Sequence, residues 1–140
     1  MKFRTLTNII WLLKNHRHLK NWKKRNFTPP SPEFIKHQII LNNNIKDSAW
    51  IETGTYYGET TKILSKISSK VISIEADQDL YDLGKKTFSN FKNIELIFGK
   101  SEDKLPEALE KIKSYKNICI YFDAHLCHDH IKNVKTFGEE

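Results

Sequence analysis

The stretch Trp50-Ile51-Glu52-Thr53-Gly54-Thr55-Tyr56-Tyr57-Gly58-Glu59-Thr60-Thr61 holds the residue types and spacing most suited to ligand chemistry. Its two glycines permit close approach of backbone to a ligand. The helix that follows adds N–H groups without intrahelical partners. The pattern is E-x-G-x-x-x-G, whereas a dinucleotide fingerprint needs G-x-G-x-x-G with pyrophosphate at the helix N-terminus. The Walker A lysine is missing as well, since Glu59 follows Gly58. Glu52 repels phosphate but suits a cationic or amino-bearing ligand. Seventeen residues after Gly58 comes Glu75. In nucleotide-binding α/β folds an acid at that place accepts hydrogen bonds from the ribose hydroxyls.

A second concentration of reactive groups is Asp123-Ala124-His125-Leu126-Cys127-His128-Asp129-His130, with three histidines, one cysteine and two aspartates in eight residues. Such donors suit a transition metal, but the paired spacing of a structural zinc site is absent. No metal site is expected, and His128, Asp129 and His130 read as a solvated polar loop. His125 directly follows a strand end, and an imidazole there can take a proton from an acceptor hydroxyl.

The elements that must position these groups alternate. Ala49–Glu52 is a short apolar strand before the glycine loop, and Thr60–Ser68 is a helix with Ile63, Leu64 and Ile67 inward. Val71–Ile74 is a β-branched strand. Asp79–Phe91 is a helix with Leu80, Gly84, Thr87, Phe88 and Phe91 on one side, and Ile94–Phe98 is a strand. Asp103–Lys113 is a helix with Leu105, Leu109 and Ile112 inward and Pro106 in its first turn, where proline is tolerated. Ile118–Phe122 is a strand apolar on both faces, as in the middle of a parallel sheet. This succession predicts an α/β domain with right-handed crossovers.

With these motifs in order, the chain resembles the class I S-adenosylmethionine-dependent methyltransferases. It is most similar to a bacterial subgroup whose first motif reads E-T-G-T-Y-x-G-[DE]-T-T, matched from Glu52 to Thr61. Ser73-Ile74-Glu75, Gly99-Lys100-Ser101, Phe122-Asp123-Ala124-His125 and the lead-in Pro29-Pro30 with Phe34-Ile35-Lys36 match too, so the resemblance covers residues 28–126. The subgroup usually carries an acid where this chain has Lys100. The resemblance implies a Rossmann-like methyltransferase fold with strand order 3-2-1-4 present and the C-terminal strands missing. It implies S-adenosylmethionine as cofactor, with Glu52, Gly54, Thr55 and Gly58 along its methionine part and Glu75 on the ribose. It places Ser101 and Glu102 near the adenine, and Asp123 near the transferable methyl. The expected reaction is methyl transfer to an oxygen of a small molecule or sugar, with Asp123 and His125 orienting or deprotonating the acceptor. One alternative is a non-catalytic or truncated cofactor-binding module acting through a partner or membrane surface. Another is an NAD-dependent oxidoreductase, which needs a third glycine that the loop lacks.

Charge divides the chain differently. Residues 1–26 carry eight bases and no acid, while the remainder holds fifteen bases against seventeen acids. The net charge of +6 therefore belongs to the leader. Phe3, Leu6, Ile10 and Leu13 recur at helical spacing, with Ile9, Leu12, Leu19 and Trp22 widening the face, so residues 1–27 read as a basic amphipathic segment. Thr28-Pro29-Pro30-Ser31-Pro32 then marks the start of a domain at 28–140. The leader suits packing on its own domain, a homo-oligomer contact, or anionic lipid. Without a recognition motif no nucleic-acid partner is expected. No apolar run approaches the about 18 residues of a membrane span, and Cys119 and Cys127 do not make a disulfide framework. The expected location is cytoplasmic, including the inner membrane surface. The 140 residues suit one domain. Four strands are fewer than the seven of the fold resembled, which implies an incomplete domain with Ile118–Phe122 as an apolar edge.

Overall fold

The computed structural model describes residues 15–123. The chain forms two compact units that divide between Asn43 and Asn44. In the first, helix α1 occupies residues 15–24 of the described chain. The Trp22 indole N–H donates to the Thr28 carbonyl at 3.0 Å, and its ring meets Phe27 edge-on at 5.1 Å. Helix α2, Glu33–Asn43, starts directly after Pro32, with Glu33 favourably placed in its first turn. Ile40 is its buried residue, while Ile39 and Leu41 are exposed. Of the amphipathic face expected for the leader, Phe3 to Leu13 lie outside the described residues.

The second unit is a parallel sheet of β1 (Ala49–Thr53), β2 (Lys70–Glu75), β3 (Ile94–Phe98) and β4 (Ile118–Phe122), in the order β3-β2-β1-β4. Helices α3 (Glu59–Ile67), α4 (Gln78–Thr87) and α5 (Ser101–Ile112) connect the strands. This is the α/β arrangement and the 3-2-1-4 order expected from sequence. Alternation along β1 and β2 sorts their residues between two faces. Ile51, Ile72 and Ile74 pack with Ile97 and with Ala108 and Ile112 of α5 in one core. Each fully buried isoleucine contributes about 1.5–3 kcal/mol. The intervening Glu52 and Ser73 point to the other face, where α3 brings Thr61.

The entry to β1 is pinned by polar contacts. Asn44 Oδ1 accepts from the Ser48 hydroxyl at 3.1 Å and the Trp50 indole at 3.0 Å, and Asn44 Nδ2 donates to the Ile67 carbonyl at the end of α3.

Three expectations need correction. β4 is not buried on both faces. Ile118, Ile120 and Phe122 are 38%, 37% and 65% exposed, because β4 is the edge strand and pairs with β1 alone among the described residues. Thr87 is exposed at the last position of α4, its hydroxyl turned back on the Leu83 carbonyl. On α5 the buried stripe runs through Ala108 and Ile112, which rotates Leu109 to an exposed position.

Candidate cofactor-binding rim

Parallel pairing brings the C-terminal strand ends level. Thr53 lies opposite Ile74 and Phe122, and Glu75 opposite Phe98. Glu52, Glu75 and Asp123 therefore gather on one rim, from three different strands. In open α/β sheets ligands bind outside these ends.

Glu75 closes β2 and is buried. Its Oε2 accepts the backbone N–H of Tyr56 at 2.8 Å, and its Oε1 accepts that of Asp77 at 2.9 Å. The first bond ties the glycine loop to β2; the second ties in the start of α4, where Asp77 is the N-cap and accepts from Leu80 N. A carboxylate has about four acceptor positions, so an acid held this way has capacity for a ligand's hydroxyl groups.

The loop closes on itself. Gly54 (φ 84°) donates its N–H to the Ile74 carbonyl at 2.8 Å, and Gly58 (φ 78°) donates to Thr55 at 2.8 Å. With the Tyr56 amide given to Glu75, three loop amides are bonded within the protein. A phosphate cradle needs such amides aimed at the ligand. These three amides are therefore not aimed at a ligand.

Gly58 has a further constraint. A Cβ at this position would lie 2.4 Å from Phe88 Cζ. Phe88 occupies the place of that Cβ, so Gly58 packs the start of α3 against the end of α4.

Glu52 is 1% exposed. Its Oε2 accepts the Thr61 hydroxyl at 2.5 Å and the Ser73 hydroxyl at 2.7 Å, and Ser73 Oγ lies 2.7 Å from the Thr55 hydroxyl. Burial pushes the Glu52 carboxyl up to about 7, against the opposing pull of the two hydroxyls; Asp123 and Glu75 push it further. Asp123 follows β4, and its amide donates to Thr53 O at 3.3 Å and to Thr53 Oγ1 at 3.1 Å.

The structure thus gathers Glu52, Gly54, Thr55, Gly58, Glu75 and Asp123 around one loop. Ser101 and Glu102 open α5 after β3; among the described residues neither hydrogen-bonds to the three carboxylates. Ser101 does not cap α5, whose N-cap is Lys100 with no side-chain bond. His125 lies outside the described residues, as do Cys127, His128, Asp129 and His130. Sequence reasoning missed Thr61, Ser73 and Asp77. For Asp77 a signal existed, since an Asp before an apolar helix is a strong N-cap.

The sheet and its helices form an α/β domain with the Rossmann-like methyltransferase fold. A Staphylococcus aureus protein provisionally assigned as a caffeoyl-CoA O-methyltransferase superimposes with a TM-score of 0.51 at 21% identity, over 80% of this chain and 59% of that one. No family model matches the chain. By sequence it is similar to ribosomal RNA small subunit methyltransferase A of Mycoplasmopsis pulmonis, 31% identical over 108 residues, 75% of this chain and 41% of that protein. The Staphylococcus haemolyticus protein of the same name is 37% identical over 87 residues, 61% of this chain and 28% of that one. The chain thus spans less than half the length of these curated relatives. Their names run against the expectation that no nucleic acid is a partner, and they lend no support to a small-molecule or sugar acceptor. That expectation rested on the missing recognition motif, which an RNA-binding protein reading shape and phosphate does not need.

Proposed function

We propose that this chain binds S-adenosylmethionine and serves methyl transfer to RNA. The observation that carries the reading is the Glu75 carboxylate, fixed by the Tyr56 and Asp77 amides beside a glycine loop that bonds three of its own amides within the protein. Such a rim suits a nucleoside with a ribose diol and no pyrophosphate. The names of the sequence relatives support both the reaction and the RNA acceptor.

When bound, the cofactor supplies a methyl group on a sulfonium, whose departure needs no general acid. Glu75 holds the ribose hydroxyls. Glu52 and Asp123 would supply negative charge toward the ammonium group of the cofactor's amino-acid end. Asp123, at the end of β4, orients the acceptor, and His125 takes a proton where the acceptor carries one. The protein's contribution is then mainly positioning. The eight bases of residues 1–26 suit RNA phosphates.

The test is calorimetric titration of the full chain with S-adenosylhomocysteine, alongside Glu75→Ala. Saturable heat that Glu75→Ala loses is the expected result. Absence of saturable heat in the unmodified chain would sink the reading.

A further inference from the structure

The rim contains a charge problem. Three carboxylates converge on it, and the charged groups acting on Glu52 are Asp123 and Glu75, both acidic. The other elements packed around Glu52 do not relieve this. On α3 the group facing it is the Thr61 hydroxyl, while Glu59, Lys62 and Lys66 of that helix are exposed. On β2 it is the Ser73 hydroxyl, and in β4 Tyr121 is its register partner. The α5 helix covers the opposite face with Ala108 and Ile112. Among the described residues no lysine, arginine or histidine bonds to Glu52. A buried carboxylate without a counter-charge is strongly disfavoured.

Hydroxyl partners make an alternative state accessible. A hydroxyl can donate or accept by rotating its proton. Thr61 and Ser73 can therefore bond to Glu52 in either protonation state. Thr55, 2.7 Å from Ser73, extends the same chain into the loop. Glu52 is thus wired for a proton change at the place where a cationic ligand end arrives.

We propose that Glu52 gives up its proton on meeting the ammonium group of the cofactor's amino-acid end, so that ligand capture at this rim releases a proton to solvent. The proposal rests on the S-adenosylmethionine reading and adds a linkage to it. In balance, the O–H bond of the Glu52 carboxyl breaks, its proton leaves to buffer, and the carboxylate stays bonded to Thr61 and Ser73 beside the ligand's ammonium. Glu52 becomes a positioning residue for the loop and a selector for ligands that place an ammonium group there.

Calorimetric titration of the full chain with S-adenosylhomocysteine, in buffers of different ionisation enthalpy, counts the protons. With the free carboxyl held up to about 7, release at pH 6.5 is about three-quarters of a proton, and affinity rises about eightfold from pH 6.0 to 7.5. Glu52→Gln should bind more weakly than the unmodified chain at pH 7.5, with no buffer dependence and a flat pH profile; proton release or a rising affinity retained in this variant also overturns the linkage. Saturable binding with no proton release in the unmodified chain overturns the linkage and leaves the cofactor reading standing. No binding at any pH removes both. Independently of ligand and variant, carboxyl ¹³C NMR of the free protein should show Glu52 titrating near 7; a midpoint near the ordinary glutamate value also overturns the proposal.

Discussion

Gly58→Ala separates packing from ligand contact at the glycine loop. The backbone there has φ 78°, and a Cβ would meet Phe88 Cζ at 2.4 Å and Cε2 at 2.5 Å. The left-handed conformation costs a non-glycine residue about 1–2 kcal/mol. Forcing a methyl against a ring that is itself 6% exposed adds about 1–3 kcal/mol of overpacking. Together the substitution should destabilise by about 2–5 kcal/mol, a large share of the about 5–15 kcal/mol of a typical domain. Phe88→Ala alone should cost about 3–5 kcal/mol through the cavity it opens. In the double variant the ring is gone, so only the backbone part of the Gly58→Ala cost should remain. The coupling between the two sites should then be about 1–3 kcal/mol in the compensating direction. Urea unfolding, followed by far-ultraviolet circular dichroism on the four proteins, measures it. Simple additivity would refute the steric reasoning, and a neutral Gly58→Ala would refute the backbone part as well.

Glu52 should impose its own pH dependence on stability. Its carboxyl is held near 7 in the fold against 4.5 unfolded, so its stabilising contribution is full below about 4.5 and is lost as pH rises through about 7. The difference is about 3 kcal/mol, and subtracting the Glu52→Gln stability profile from the parent profile should reveal it; identical profiles would contradict it. Ser73→Ala removes the hydroxyl that donates to Glu52 and bonds Thr55, so ¹³C NMR should place the Glu52 midpoint higher still; an unmoved midpoint would mean that Ser73 does not act on Glu52. Glu95 bonds Lys111 and Lys70, which lower its carboxyl below the ordinary value. Its contribution is present above about 4.5 and lost as pH falls. Because the group is partly exposed, the Glu95→Gln effect should be small and vanish in high salt; persistence in high salt would count against an electrostatic origin.

The strands were legible because their residues have few other options. Val71–Ile74 and Ile118–Phe122 are β-branched or aromatic nearly throughout, and the strand assignment survives intact. Helix ends were less legible. The α4 stripe of Leu80, Gly84 and Phe88 was clear, but the helix stops at Thr87 and Phe88 caps it, shortening the expected Asp79–Phe91. On α5 the small Ala108 takes the buried place and the larger Leu109 does not, because Leu105, Ala108 and Ile112 form the tighter stripe. Residue size is a weaker guide than angular position where a helix lies close on a sheet. The edge place of β4 was expected from the strand count against the fold resembled, and pairing with β1 alone among the described residues agrees with it.

At the site, the acids were legible and the groups that hold them were not. Glu52 and Glu75 are the same residue type on neighbouring strands, and both read as ligand-facing. The structure gives them opposite kinds of partner. Glu75 is held by two backbone amides, which can only donate, so it must present acceptors in a fixed orientation. Glu52 is held by two hydroxyls, whose protons rotate, so its hydrogen bonding adapts to its protonation state. Those hydroxyls come nine and twenty-one residues along the chain, from a helix and from a second strand. Spacing along the sequence shows no such convergence; the parallel register of β1 on β2 creates it, placing Glu52 directly opposite Ser73. Glu75 is therefore suited to recognising ligand shape, and Glu52 to sensing ligand charge.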